Sequence, residues 1–136
     1  MKKLLFFLIL GFTTLTTARA QNTDTPCGKV FHVVEQMPQF PGGQAAMMKF
    51  IADSLRYPSV ACENGIEGRV IVKFVVDCEG NIVNPLVVRS VDPLLDREAI
   101  RLVKSMPKWI PGKQNGKPVN VVCFVPVRFK LYEEKP

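Results

Sequence analysis

The chain is short of the residues that most enzyme chemistry requires. In 136 residues it holds one histidine, one tryptophan and two tyrosines, and its four cysteines form no C-x-x-C pair. No serine, cysteine or acid stands in a motif with His32, so nucleophilic or acid–base catalysis lacks its parts, and His32 reads as a partly exposed strand residue. Scattered cysteines and a single histidine do not make a zinc set. The glycine stretches at 41–44 and 112–118 lack the P-loop spacing of glycines, lysine and hydroxyl, and read as a helix start and a loop. The acid pairs Asp77 with Glu79 and Asp92 with Asp96 fall at a hairpin and a helix start, where turn formation and the helix dipole account for them. No catalytic residue, metal or cofactor is expected.

A long hydrophobic run is missing too. The longest, Leu4 to Phe12, is about half of the roughly 20 residues that span a bilayer. It follows Met1-Lys2-Lys3 and precedes Ala18-Arg19-Ala20, the pattern of a secretory signal with an A-x-A cleavage site. Residues 1–20 are therefore expected to be removed, leaving no membrane span. Cys27 lies too far beyond Ala20 to signal a lipoprotein attachment. The net charge of +6 would fall to +3 with the loss of Lys2, Lys3 and Arg19. A nucleic-acid partner is not expected at that charge, because the basic residues are not interleaved with aromatic stacking platforms. Arg101, Lys104, Lys108, Lys113 and Lys117 instead complement a helix C-terminus and solvate a loop. Residues 21–29 read as a short polar lead and 30–136 as a single domain, large enough to bury roughly two-thirds of its unfolded surface.

What the sequence does have is pattern. Two β-branched runs between Gly68 and Val91 flank Asp77-Cys78-Glu79-Gly80, which predicts a hairpin whose glycine supplies a positive φ. Asp92-Pro93 is an N-cap followed by the residue best suited to the first helical position. Leu95, Ala99, Leu102, Val103 and Met106 then keep one apolar face at helical period until Pro107. From Val119 to Phe129 the chain alternates, with Val121, Cys123, Val125 and Val127 on one side and Asn120, Val122, Phe124, Pro126 and Arg128 on the other. Earlier, Val30 to Val34 has strand composition, residues 44–56 keep helical spacing, and Pro58 to Glu63 form a turn of helix stopped by Asn64-Gly65. The fold is α+β with the order β-α-β-β-α-β. Connectivity gives a three-stranded antiparallel sheet of order 2-1-3 packed against two helices, with an extra N-terminal strand beside it. Strand three is then an edge, which suits Pro126.

Tyr57-Pro58, Ala61, Gly65, the alternating Gly68 to Val76, Gly80, Leu95-Asp96 with Ala99, Pro107 with Trp109 and Pro111-Gly112, Gly116 to Val119, and Val125-Pro126-Val127 with Phe129 recur in that order. Over residues 57–131 the chain resembles the C-terminal domain of the TonB family. Phe40-Pro41-Gly42-Gly43 before a helix is similar to the longer form seen in Bacteroidetes-type proteins. The resemblance implies capture of a short extended segment, the TonB box, of an outer-membrane transporter by strand addition. It places Tyr57-Pro58 beside the contact and Asn120, Val122 and Phe124 on the receiving strand. Trp109 is expected to pin the helix-to-strand loop to the core. The chain departs from an energy-transducing TonB in lacking an uncleaved membrane helix and a proline-rich spacer. Residues 21–29 reach at most about 32 Å.

The expectation is an exported, non-enzymatic binding module in the periplasm, or outside the cell, linked to TonB-dependent transport. Its partner would be a transporter segment or another envelope protein. The alternatives are that the strand near Val30 covers the edge, or that two copies pair edge to edge as a homodimer. For Cys27, Cys62, Cys78 and Cys123, three full pairings are open. Cys27 with Cys62 would pin the N-terminal strand to the domain. Cys78 at the hairpin tip should be exposed, and Cys123 shares the buried phase of its strand, where a free thiol packs well.

Overall fold

A computed structural model describes residues 27–131. The expected signal sequence and the first part of the polar lead lie outside the described residues. The elements in order are β1 (Val30–Phe31), α1 (Gly43–Ser54), α2 (Ser59–Glu63), β2 (Gly68–Val76), β3 (Ile82–Arg89), α3 (Pro93–Lys104), β4 (Gly112–Gln114) and β5 (Lys117–Phe129). Among the described residues no helix is long and apolar enough to cross a membrane.

The helices form where local chemistry directs. At α3, the Asp92 side chain accepts from Leu94 N at 2.9 Å and Pro93 opens the helix. Leu95, Ala99, Leu102 and Val103 are fully buried, so the predicted face is the packed one. The shorter α2 closes on Gly65 at φ +67, where Gly65 N donates to Cys62 O and Ile66 N to Ala61 O. These bonds satisfy carbonyls that the last helical turn leaves open.

The sheet order is β1-β5-β2-β3. Its antiparallel centre, β3-β2-β5, is the predicted 2-1-3. β2 and β5 pair without a break from Gly68↔Phe129 to Val76↔Val121. One face of this sheet, carrying Val70, Val72, Phe74, Val125, Val127 and Phe129, packs with α3 and α1 into the core. Trp109 stands edge-on to Phe74 at 5.4 Å and to Phe40 at 5.8 Å, joining the helix-to-strand loop to that core. Each such large side chain contributes roughly 1.5 to 3 kcal/mol by leaving water.

Three expectations need correction. The stretch 112–118 is not a loop: β4 and the start of β5 form a second hairpin, Gly112↔Val119 to Gln114↔Lys117. Asn115 and Gly116 both take positive φ, as a two-residue turn of the mirror-image type demands. The N-terminal strand is only two residues long, and it runs parallel to β5, with Val30↔Asn120 and Phe31↔Val121. It stops because Val34 turns into the buried interior. Finally, Cys27 pairs with Cys78, not Cys62, across 51 positions of sequence. Cys78 is consequently half-buried, and Cys62 and Cys123 are free thiols. In the chain-entropy account, closing a loop of that length stabilises by about 4 kcal/mol.

The tip of the β2–β3 hairpin is a fixed point of the fold. Buried Asp77 accepts from Glu79 N and Asn81 N, both at 2.9 Å, which closes the turn. Gly80 takes φ +89, and its carbonyl accepts from Trp109 N at 2.8 Å. A Cβ at Gly80 would lie 2.2 Å from Trp109 O. Both the backbone angle and the contact exclude a side chain there. Gly80→Ala is expected to cost about 3 kcal/mol, the upper part of the usual single-substitution range, in chemical denaturation. A change within about 0.5 kcal/mol would show that the tip does not depend on this contact.

Candidate functional site

β5 is bonded along one side to β2. At its start Lys117–Val119 pair with β4, and Asn120 and Val121 pair with β1. From Val122 onward, no strand of the described residues pairs with the side of β5 away from β2. Unpaired edges of this kind either need protection or recruit a strand.

A groove of about 360 Å³ runs beside this open stretch. Val122, Cys123, Phe124 and Val125 line one side, and Met37, Pro38 and Gln39 line the other. The buried Phe40, Met47 and Trp109 close it toward the core. Two reciprocal backbone pairs hold the wall. Gln36 and Lys113 exchange bonds of 3.1 and 2.8 Å, as do Gln39 and Ile110 at 3.0 and 2.8 Å. Glu35 adds a side-chain bond from Asn115 N at 2.8 Å. The groove is therefore a preformed feature of mixed lining, in which His32, Gln39 and Gln44 stand with exposed Phe124 and Met37. Burial pushes the Cys123 thiol up to about 11, so it stays protonated and unreactive near neutral pH.

The predicted site residues fall into three places. Val122 and Phe124 share the groove, Val122 buried and Phe124 exposed. Asn120 is fully buried and serves the fold: its Oδ1 accepts from Cys78 N at 2.9 Å, and its Nδ2 donates to Gly28 O at 3.0 Å and Lys29 O at 3.3 Å. Tyr57 and Pro58 lie at the far end of β5. The Tyr57 ring stands edge-on to Phe129 at 5.6 Å, and its hydroxyl donates to Ile66 O. At about 3.3 Å per residue, that end is roughly 17 Å from Phe124. The wall residues Met37, Pro38 and Gln39 were not anticipated. Their only sequence signal was an extended segment between prolines.

Glu98 on α3 fixes the approach to Tyr57. Its carboxylate pairs with Arg101 at 2.7 Å and accepts from Arg56 N at 2.7 Å, while Arg101 also donates to Ser54 O at 2.9 Å. Burial alone would raise the Glu98 pKa, but the bonds from Arg101 and from the Arg56 backbone outweigh it and hold the carboxyl below its ordinary value. A depressed carboxyl stabilises the fold fully above the unfolded value, about 4.3, and that stability is lost as pH falls through the folded value. Glu98→Gln should therefore lower the denaturation midpoint at pH 7, with the gap from the unaltered protein narrowing at pH 3. A gap of the same size at both values would show that the charge is not what matters.

Comparison with known proteins agrees with this fold. A family model described as the Gram-negative bacterial TonB protein C-terminal matches residues 53–131. The chain is 38% identical over 77 residues to the protein TonB of Vibrio cholerae, covering 56% of this chain and 31% of that one. It is 31% identical over 86 residues to the protein TonB of Helicobacter pylori, covering 62% of this chain and 28% of that one. The chain thus spans about a third of the length of these curated relatives. A solution structure of the Helicobacter pylori TonB C-terminal domain superposes with a TM-score of 0.52 at 26% identity, over 66% of this chain and 95% of that domain. The family is non-enzymatic, and with more than half of its length matched, the chain belongs to the TonB C-terminal domain family.

Proposed function

We propose that this chain is a periplasmic binding module that captures an extended segment of an outer-membrane TonB-dependent transporter, or of another envelope protein, by strand addition to β5. The observation that carries the reading is the edge of β5 beyond Val121, with which no strand of the described residues pairs, set beside a preformed groove. Backbone bonds along the edge would supply affinity, and alternate side chains of the guest would enter the groove.

Pro126 sets the phase of the edge. A proline has no N–H to give, so it is accommodated where its nitrogen faces away from the partner strand. Residues two and four positions before it, Phe124 and Val122, then direct their N–H and C=O groups to the open side. Pro126 itself ends donation there, which limits the docking stretch to a few residues. Asn120 drops out of the recognition set because the chain's own strand occupies it. Tyr57 and Pro58 can meet only the end of a guest that continues past Pro126.

The test is titration of the isotope-labelled protein with peptides from the plug ends of TonB-dependent transporters, following backbone amides. Shifts are expected at Val122 to Val125 and at Met37 and Gln39. Phe124→Pro should weaken binding about tenfold, the worth of one net hydrogen bond, with the core amides unmoved. Silence across the peptides, with size increasing with concentration, would instead establish self-association along the edge. Binding undiminished in Phe124→Pro would exclude strand addition at this position.

A further inference from the structure

The open edge of β5 is shorter than the strand offers. Asn120 and Val121, the two residues before the groove, already carry a guest: β1 of the same chain lies along them in parallel register. Two residues of strand hold little by themselves, since strand pairing of this length is marginal in water. Among the described residues, the following contacts secure it. Cys27, three residues before β1, is bonded to Cys78 at the hairpin tip. Asn120 Nδ2 donates to the carbonyls of Gly28 and Lys29, in the short link between Cys27 and β1. Asn120 Oδ1 accepts from the N–H of Cys78 itself, so one side chain ties together β5, the link and the disulfide.

Beyond Phe31 the chain offers little to replace these ties. His32 and Val33 are exposed, Val33 at 80%, and the next anchors are buried Val34 and the Gln36–Lys113 bridge. Residues 27–33 therefore form a flap fastened at its outer end by the disulfide. We infer that the segment from Cys27 to Phe31 is a removable internal guest of the β5 edge, that the Cys27–Cys78 bond is its latch, and that opening the latch extends the docking edge from Val122 back to Asn120.

A dithiol reductant opens the latch in a balanced exchange. Its two thiols give up two electrons and two protons, the sulfur–sulfur bond breaks to leave two cysteine thiols, and the reductant becomes a disulfide. Freed of Cys27, the flap loses its outer anchor. Gly28 within it takes φ +66, a left-handed conformation that a glycine adopts without strain. The Asn120 side chain then keeps only the Cys78 amide among these three bonds, and its link-facing amide turns to a guest or to water. The larger edge matters only if β5 docks a strand, so the functional part of this inference rests on the reading above, whereas the latch itself does not.

Hydrogen exchange separates the two parts. The amides of Phe31, Cys78 and Asn120 are to be followed in the disulfide form, in the same protein treated with a dithiol, and in Cys27→Ser/Cys78→Ser. Exchange at Phe31 and Asn120 is expected to quicken at least tenfold in both opened forms, with Val72 and Phe74 in the core unchanged as the check on folding. Unchanged exchange at Phe31 would overturn the latch. If core exchange also quickens, Cys27→Ser alone, which opens the bond without altering the hairpin tip, supplies the second reading: faster exchange at Phe31 with an intact core supports the latch, and none overturns it. Titration with the transporter peptides then asks for tighter binding to the opened form. Equal affinity in both forms would overturn the extended edge, while binding by neither would remove the docking reading and leave the latch standing.

Discussion

The nine-residue ladder between β2 and β5 is the constraint from which the rest of the molecule follows. It joins residues 45 to 61 positions apart in sequence, Val76↔Val121 to Gly68↔Phe129, and it sets which side chains face the helices. A slip of one residue would carry Val125, Val127 and Phe129 into water and bring Phe124, Pro126 and Arg128 against α3. The cost of that exchange locks the register. With β3 on the far side of β2, the second side of β5 is left to the short strands β4 and β1, which among the described residues reach only Val121, and the same lock decides which backbone groups face outward beyond it.

The sheet has a second edge, at β3, and the two are treated differently. β3 carries Asn84 at φ +53, Pro85, and two shifts in its pairing with β2. Bulges and proline bend an edge and interrupt the row of groups that another strand would need. Leu86 and Val88 are exposed there, yet they stand on an irregular backbone. From Val122 to Val125 β5 has no such protection, and a groove lies alongside. A protein that guards one edge and leaves the other regular presents a single place for strand addition, which is why the proposed function is assigned to β5.

Local periodicity made most of this fold legible in the sequence. The hairpin, α3 with its Asp92-Pro93 start, and β5 each announce themselves within about a dozen residues, and connectivity then leaves one sheet order. The resemblance to the TonB family pointed to Val122 and Phe124, which line the groove beside β5. What escaped was set by tertiary structure. β4 is three residues of no apolar pattern, although Asn115-Gly116 before Lys117 was a usable turn signal. The disulfide could not be chosen from spacing, because Cys78 meets Cys27 only after β1 has been laid along β5. Asn120 looked like an outward residue by alternation, and it is outward; the N-terminal link lies over it, so it is buried all the same.

That burial shows how polar and apolar forces divide the work. A buried side-chain amide costs about 1 to 3 kcal/mol if left unpaired. Asn120 escapes the penalty because the hairpin tip and the N-terminal link supply its partners. The three segments therefore stabilise one another conditionally: the link is held where Asn120 needs acceptors, and Asn120 is dry because the link is held. Apolar packing on the other face carries no such condition, since Val70, Val72 and Phe74 remain against α3 whatever the N-terminus does. The core fixes the strand, whereas the N-terminal link on its edge is held by the polar cluster together with the Cys27–Cys78 bond.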